Sequence, residues 1–486
     1  MMLEKYYILT VLLVFTTGSP TFAFNADNSE QISLRNAVEQ ALANNLNLVL
    51  QREDVKIAEG ATLSAEGKFD LTFDANTTAK SEELTPIFPG GAEHEDTGLW
   101  GAKVSKLFST GTAVSLGWNN SYYESDALGL LMNPSYRTGV TLGLSQSLLK
   151  GFGQEVQTAQ IRASQKQQEA ASFQVNSQAA NLTAQVKHAY WRLVFAWQDI
   201  EVQKLSLTLA KKLLEETDAK ISAGKMAPVE IYQPQSEVAR REEQLITAER
   251  AIGSAEDELK LLLNSDKWFT TFEPTDQPAT EPIILMLPAI LENALKNRPD
   301  VKAADLYTQA AEIERKSARD STRPDLALQG SVGITGTDDK YGDSVDNGFS
   351  SPNTPWQIGL TFSMPLANSV AKGYYQQASA RFNRAKTSAE LLRQHIRQTV
   401  RTTIRDVELA IKALEATRKT SLATRKRLEA EQAKFDSGRS TTLDVLIAQD
   451  AYSQALSKEN FTNITYANTL AELDRIQGLV TFSSSR

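Results

Sequence analysis

The chain has no cysteine and three histidines in 486 residues. Without cysteine there is no disulfide framework, no thiolate zinc site, no cysteine nucleophile and no lipid-modified N-terminal Cys. The histidines, His94, His188 and His395, lie far apart in sequence, and the spacing of a metal site is missing. Basic residues are outnumbered, 51 Lys and Arg against 59 Asp and Glu, and the net charge of −8 argues against a nucleic-acid partner. Long hydrophobic runs are absent beyond Tyr6–Thr17, which excludes a bundle of transmembrane helices. The glycine-rich stretch Gly151-Phe152-Gly153 lacks phosphate-cradling spacing, and no nucleophile elbow stands out among the serines. These absences predict neither an enzyme nor a cofactor.

Met1 to Lys5, the apolar run and the break at Ser19-Pro20 before Thr21-Phe22-Ala23 read as a secretory signal peptide over residues 1–23, with the mature chain starting at Phe24.

Glycine and proline are missing from three long stretches: Gly153 to Gly224, Tyr374 to Ser437, and Arg439 to Gln477. About 70 helical residues would make a rod of roughly 100 Å, which needs partners along its length. Large apolar residues recur every seven positions at Val186, Leu193, Ile200, Leu207, Leu214 and Ile221, and the seam resumes at Ile231, Val238, Leu245, Ile252 and Leu259. The position numbers of facing residues add to a constant, 452, as in an antiparallel hairpin closing near Gly224. Adding 214 to each number reproduces the hairpin at Val400, Val407, Leu414, Ser421, Leu428 and Phe435, then Val445, Tyr452, Glu459, Tyr466 and Leu473, with Gly438 at the turn. Such a long internal repeat predicts a tandem, pseudo-symmetric architecture.

Upstream of each hairpin the same order recurs. Leu34 to Asn45 (LRNAVEQALANN) resembles Leu287 to Arg298 (LPAILENALKNR), each opening a short amphipathic helix running to about Gly67 or Thr322. The period then changes to two at Leu71, Phe73 and Ala75, at Val114, Leu116 and Trp118, and at Val140, Leu142 and Leu144. The second half repeats this at Leu326 and Leu328 and from Trp356 to Phe362, with Gly336–Pro355 read as a connection. Trp100–Phe108 also looks extended, so the first half holds one or two more candidate strands than the second. Strands with one apolar face between very long rods fit an outer-membrane barrel better than a soluble sandwich.

The paired openings, the joint Gln146 to Gly153 and the turn Phe435-Asp436-Ser437-Gly438 leading to Leu443-Asp444-Val445-Leu446 resemble the TolC family of outer-membrane efflux channels, over about Ile32 to Gly478. The resemblance implies an α+β membrane protein: a homotrimer with four strands per protomer in a twelve-stranded barrel, continued by a twelve-helix periplasmic tunnel. The expected divisions are 24–264 for the first repeat, with strands in 69–149 and the hairpin in 154–264; 265–284 for an equatorial linker; 285–478 for the second repeat, with strands in 325–366 and the hairpin in 370–478; and 479–486 for a tail. The expected role is the outer-membrane component of a tripartite efflux or type I secretion system. Its partners would be outer-membrane lipid, a periplasmic adaptor and an inner-membrane pump of the RND or ABC type. The tips Gly224-Lys225 and Gly438-Arg439 would dock the adaptor. Asp444, with Glu230 six residues after its own turn glycine and Ile447 one turn on, would form the periplasmic gate. Pro234 is expected to kink its helix. A structural periplasmic coiled-coil protein and an exported hydrolase remain as alternatives.

Overall fold

The computed structural model describes residues 29–479; the expected signal peptide lies outside them. Two helices of extraordinary length organise the chain, α4 (Ala159–Ser222) and α9 (Ser369–Asp436), of 64 and 68 residues. At 1.5 Å per residue each is about 100 Å long. Each folds back into a helix of about half its length, α5 (Tyr232–Leu263) and α10 (Thr442–Ile476). The remaining length is covered by α2 (Leu46–Glu66), packed on α4, and α7 (Pro299–Asp320), packed on both long helices. Leu193, Ile200, Ile252 and Leu259 share one buried cluster, with Leu245 against it, and Lys211 pairs with Glu242 at 3.0 Å, in keeping with the expected register. In the second hairpin Val400, Val407, Leu414, Leu428, Phe435, Val445, Tyr466 and Leu473 are all buried.

The single short helix expected at the start of each half is two helices. In the first half, α1 (Leu34–Asn44) ends at Asn45, whose side chain accepts from the Asn47 and Leu48 N–H groups and starts α2. In the second, α6 (Leu287–Asn297) stops before Pro299, which opens α7 because the residue before proline leaves the helical region. The linker contains a strand of its own. Its β6 (Thr271–Pro274) pairs in parallel with β1 (Ser29–Ile32), and Tyr190 OH reaches both the Ile32 carbonyl at 3.1 Å and the Asp276 carboxylate at 2.7 Å.

Six strands form one antiparallel sheet, in the order β2 (Leu71–Glu83), β3 (His94–Leu107), β4 (Thr112–Ser125), β5 (Ser135–Ser147), β7 (Asp325–Asp338) and β8 (Trp356–Ser363). The first half gives four strands and the second two, an excess of two where one or two was expected; the four per protomer implied by the family resemblance is corrected to six. The register aligns whole rows of side chains. Phe73, Val104, Leu116, Leu142, Val332 and Trp356 make an apolar row across all six strands, and Thr72, Ser105, Ser115, Gly143, Ser331 and Gln357 a polar row on the other face. Neighbouring strands approach closely enough that a Cβ at Gly101 or Gly333, both on the polar face, would sit 2.7 Å from a carbonyl oxygen of the next strand. The apolar face is open at the end nearer the helices, with Phe73 70% and Trp356 75% exposed, and farther along it is partly covered, Thr138 and Asn120 being buried there.

The connection expected between β7 and β8 contains a helix, α8 (Tyr341–Ser350). It packs on the sheet through Ser344 and Gly348, close enough that only glycine fits at position 336, where a Cβ would lie 2.2 Å from the Ser344 carbonyl oxygen. Tyr341 stacks against Trp100 and Tyr136 at 5.5 and 6.1 Å between ring centroids, and Tyr122 extends this aromatic group.

Candidate functional site

Both helical tips close with the same backbone device. Gly224 and Gly438 have φ of +72° and +73°, a left-handed conformation natural to glycine. The N–H of each glycine returns to the carbonyl three residues back, and that of Lys225 or Arg439 to the carbonyl five back, at 2.8 Å in both. This is the Schellman ending of a helix.

Beyond the turns the tips diverge. Thr441 caps α10: its hydroxyl accepts from the Asp444 N–H at 3.2 Å, while the Asp444 carboxylate accepts from the Thr441 N–H at 3.2 Å and hydroxyl at 2.6 Å. That closes a capping box. These hydrogen bonds from Thr441, side chain first and backbone second, hold the exposed Asp444 carboxyl below its ordinary range. Ile447, one turn along, is 47% exposed. Glu230, equivalent by sequence to Asp444, sits exposed in a 3-10 turn, Pro228–Ile231, that precedes α5 and has no side-chain cap. The expected kink at Pro234 is corrected for the same reason. With α5 starting at Tyr232, Pro234 lies in the first helical turn, where a missing N–H breaks no bond.

The two hairpins are tied together just behind the tips. Leu213, Phe435, Val445 and Leu446 form a buried cluster, with Met226 packed on it. Lys220 Nζ donates to the Phe435 carbonyl at 2.6 Å and stands 3.3 Å from that ring's centroid. Gln449 donates to the Leu209 carbonyl at 3.2 Å, and Arg240 pairs with Asp450 at 3.1 Å. Arg241, 1% exposed, is held by Glu237 at 2.6 Å and the Ser206 carbonyl at 3.0 Å. Burial pushes the Glu237 carboxyl up, but Arg240 and Arg241 outweigh it and keep the group low. Arg240 and Arg241 are the residues that sequence periodicity missed. The signal was present as a pair of cations one turn from Glu237, inside a stretch read as an apolar seam.

The histidines fall in three separate elements, β3, α4 and α9. Among the described residues no helix is long and apolar enough to cross a membrane. The six-stranded sheet is the element with a membrane-suited surface, carrying an apolar row on one face and a polar row on the other. A sheet of this kind carried on two very long helical hairpins defines the class: an outer-membrane channel protein with a periplasmic helical extension.

The particular family follows from comparison. The profile described as "Outer membrane efflux protein" matches residues 110–265 and 290–479, more than half of the chain, which therefore belongs to that family. The chain is 23% identical over 395 residues to the outer membrane protein TolC of Escherichia coli (strain K12), covering 77% of this chain and 74% of that one. It is 26% identical over 183 residues, 36% of each chain, to the solvent efflux pump outer membrane protein SrpC of Pseudomonas putida. The fold is similar to that of the outer-membrane channel OprN, with a TM-score of 0.70 over 92% of this chain and 89% of that one at 18% identity. It is also similar to the outer membrane protein VceC of Vibrio cholerae, with a TM-score of 0.68 over 92% and 96% at 16% identity. The protein is an outer-membrane channel extending into the periplasm, and it is not an enzyme.

Proposed function

We propose that three copies of this chain form the exit conduit of a pump assembly. Their helical rods would make a periplasmic tunnel, with the tips Gly224-Lys225 and Gly438-Arg439 meeting a periplasmic adaptor and an inner-membrane pump. The chain would divide as the repeat predicts, with residues 24–264 and 285–478 as the two repeats and 265–284 as the belt between them. The observation that carries the reading is the pairing of two roughly 100 Å rods with a six-stranded sheet whose two outer strands, among the described residues, both have an unpaired edge. Open strand edges and lone hairpins of this length are satisfied only by further copies. Efflux of small molecules and type I secretion of proteins would use the same conduit.

At the mouth, Asp444 would supply one carboxylate per copy to a three-fold ring, with Ile447 one turn further in and Glu230 on the neighbouring tip. The Arg240–Asp450 pair would hold the two hairpins together in the closed state. A ring of carboxylates attracts cations, so Asp444→Ala should weaken cation selectivity and trivalent-cation block in planar bilayers, with a smaller effect from Asp450→Ala. An unchanged reversal potential and block in Asp444→Ala would refute the gate role. A monomer by light scattering in mild detergent would refute the conduit.

A further inference from the structure

The six-stranded sheet has a consequence for the width of the pore. All six strands are paired in sequence order, with thirteen residue pairs between β2 and β3, thirteen between β3 and β4, and twelve each for β4–β5 and β5–β7. The strands β3 and β4 are therefore inside the wall. If they formed a plug or an outside flap, β2 would pair with β5 directly, and it does not. Their side chains keep the wall's alternation: Val104 and Leu116 join the apolar row, while Ser105 and Ser115 join the polar one.

The hairpin is also built into the junction between sheet and helices. Strands β2, β5, β7 and β8 each run into or out of a helix at that end, whereas β3 and β4 connect only to each other, through Phe108–Gly111. That turn is bonded to the β5–α4 joint. Gly153 N–H donates to the Thr110 carbonyl at 3.2 Å, and Ser147 N–H to the Gly111 carbonyl at 3.4 Å. Gly111 has φ of +88°, and a Cβ there would lie 2.7 Å from the Gly151 carbonyl oxygen, so the contact is set by backbone.

Among the described residues, each outer edge of the sheet carries unpaired N–H and C=O groups along β2 and β8, and hydrocarbon offers them nothing. The strand β2 runs away from the helices and β8 runs back toward them, so β8 of one copy and β2 of the next meet antiparallel, continuing the alternation of the whole sheet. We propose, resting on the three-copy reading above, that the partner of these edges is a second copy of this chain and that the trimer closes an eighteen-stranded barrel rather than a twelve-stranded one. Barrel diameter grows roughly linearly with strand number, so this outer pore is about 1.5 times as wide as a twelve-stranded one. Four helices per copy still build the tunnel below, and the barrel overhangs it at each β3–β4 turn.

Electron cryo-microscopy of the full-length protein in lipid nanodiscs counts the strands. A trimer with eighteen supports the inference; a trimer with twelve overturns it and leaves the conduit standing; a closed assembly that is not a trimer overturns the three-copy reading on which it rests. A labelling experiment checks the wall independently in outer-membrane vesicles, since the chain has no cysteine of its own. Lys103→Cys and Asn119→Cys, on the polar face, should react with a charged, water-soluble maleimide. Val104→Cys and Leu116→Cys should react only with a lipid-soluble probe. Equal reaction of all four with the charged reagent would place β3 and β4 outside the wall and overturn the inference.

Discussion

The two hairpin tips are copies by sequence, offset by 214 positions, yet they are built differently. Position 441 is Thr and its equivalent is Ala227; Asp444 matches Glu230, and Phe435 matches Ile221. With Thr present, the chain closes a capping box and enters α10 directly; with Ala227, no side chain can cap, and the chain takes a 3-10 turn before α5 begins. Phe435 is 1% exposed and packed between the hairpins under Lys220, whereas Ile221 is only half-buried. Three side-chain differences therefore make one tip well anchored and the other looser, on the same glycine turn.

The sharpest way to break this comparison is to remove the anchor. Phe435→Ala deletes a fully buried aromatic and should cost about 3–5 kcal/mol of local stability. Ile221→Ala, at a half-buried site, should cost less than about 2 kcal/mol. Hydrogen–deuterium exchange of the tip peptides reads both, and equal losses would refute the asymmetry. A smaller effect is expected from exchanging the caps. Thr441→Ala should cost about 1 kcal/mol, and Ala227→Thr should stabilise the first tip by about 0.5–1 kcal/mol by completing a box with Glu230. Faster exchange in Ala227→Thr would count against this.

The smallest effect is expected from pH. The Asp444 carboxyl titrates below its ordinary value of 3.8 in the folded tip, so its contribution is complete above that value and is lost as pH falls through the lower folded one. Protection of the first turn of α10 should therefore weaken below about pH 4 in the native chain. It should stay flat in Asp444→Asn, and the same acid sensitivity in that variant would assign the effect to another group.

Much of the fold was written in local pattern. The seven-residue seams and the glycine deserts gave the rods, because a helix of that length must repeat its apolar face to stay packed. Period two marked five of the six strands, because successive side chains alternate faces whatever the strand's neighbours are, while Trp100–Phe108 was legible only as an extended segment. The turn glycines were legible for a similar reason, since a positive φ suits little else. The helix breaks at Asn45 and Pro299 were legible in principle from residue type, but the continuing apolar stripe masked them.

What sequence left undecided depends on contacts between distant segments. Helix α8 is short, and it is fixed by small residues fitting against Gly336 and Thr138, a contact that no local period encodes. The ion pair of Arg240 with Asp450 joins residues 210 positions apart, and whether two charges meet is settled by how the hairpins lie together. The strand count went the same way. Alternation shows that a segment is a strand, but only the register of β3 and β4 between β2 and β5 makes them wall. The amino-acid sequence by itself determined the rods, the strands and the turns, since these follow from each residue's own geometry and the period of its neighbours. The width of the sheet, the tie between the hairpins and the different settings of Asp444 and Glu230 were decided by tertiary structure, because hydrogen bonds and burial at those places join segments that local sequence cannot bring together.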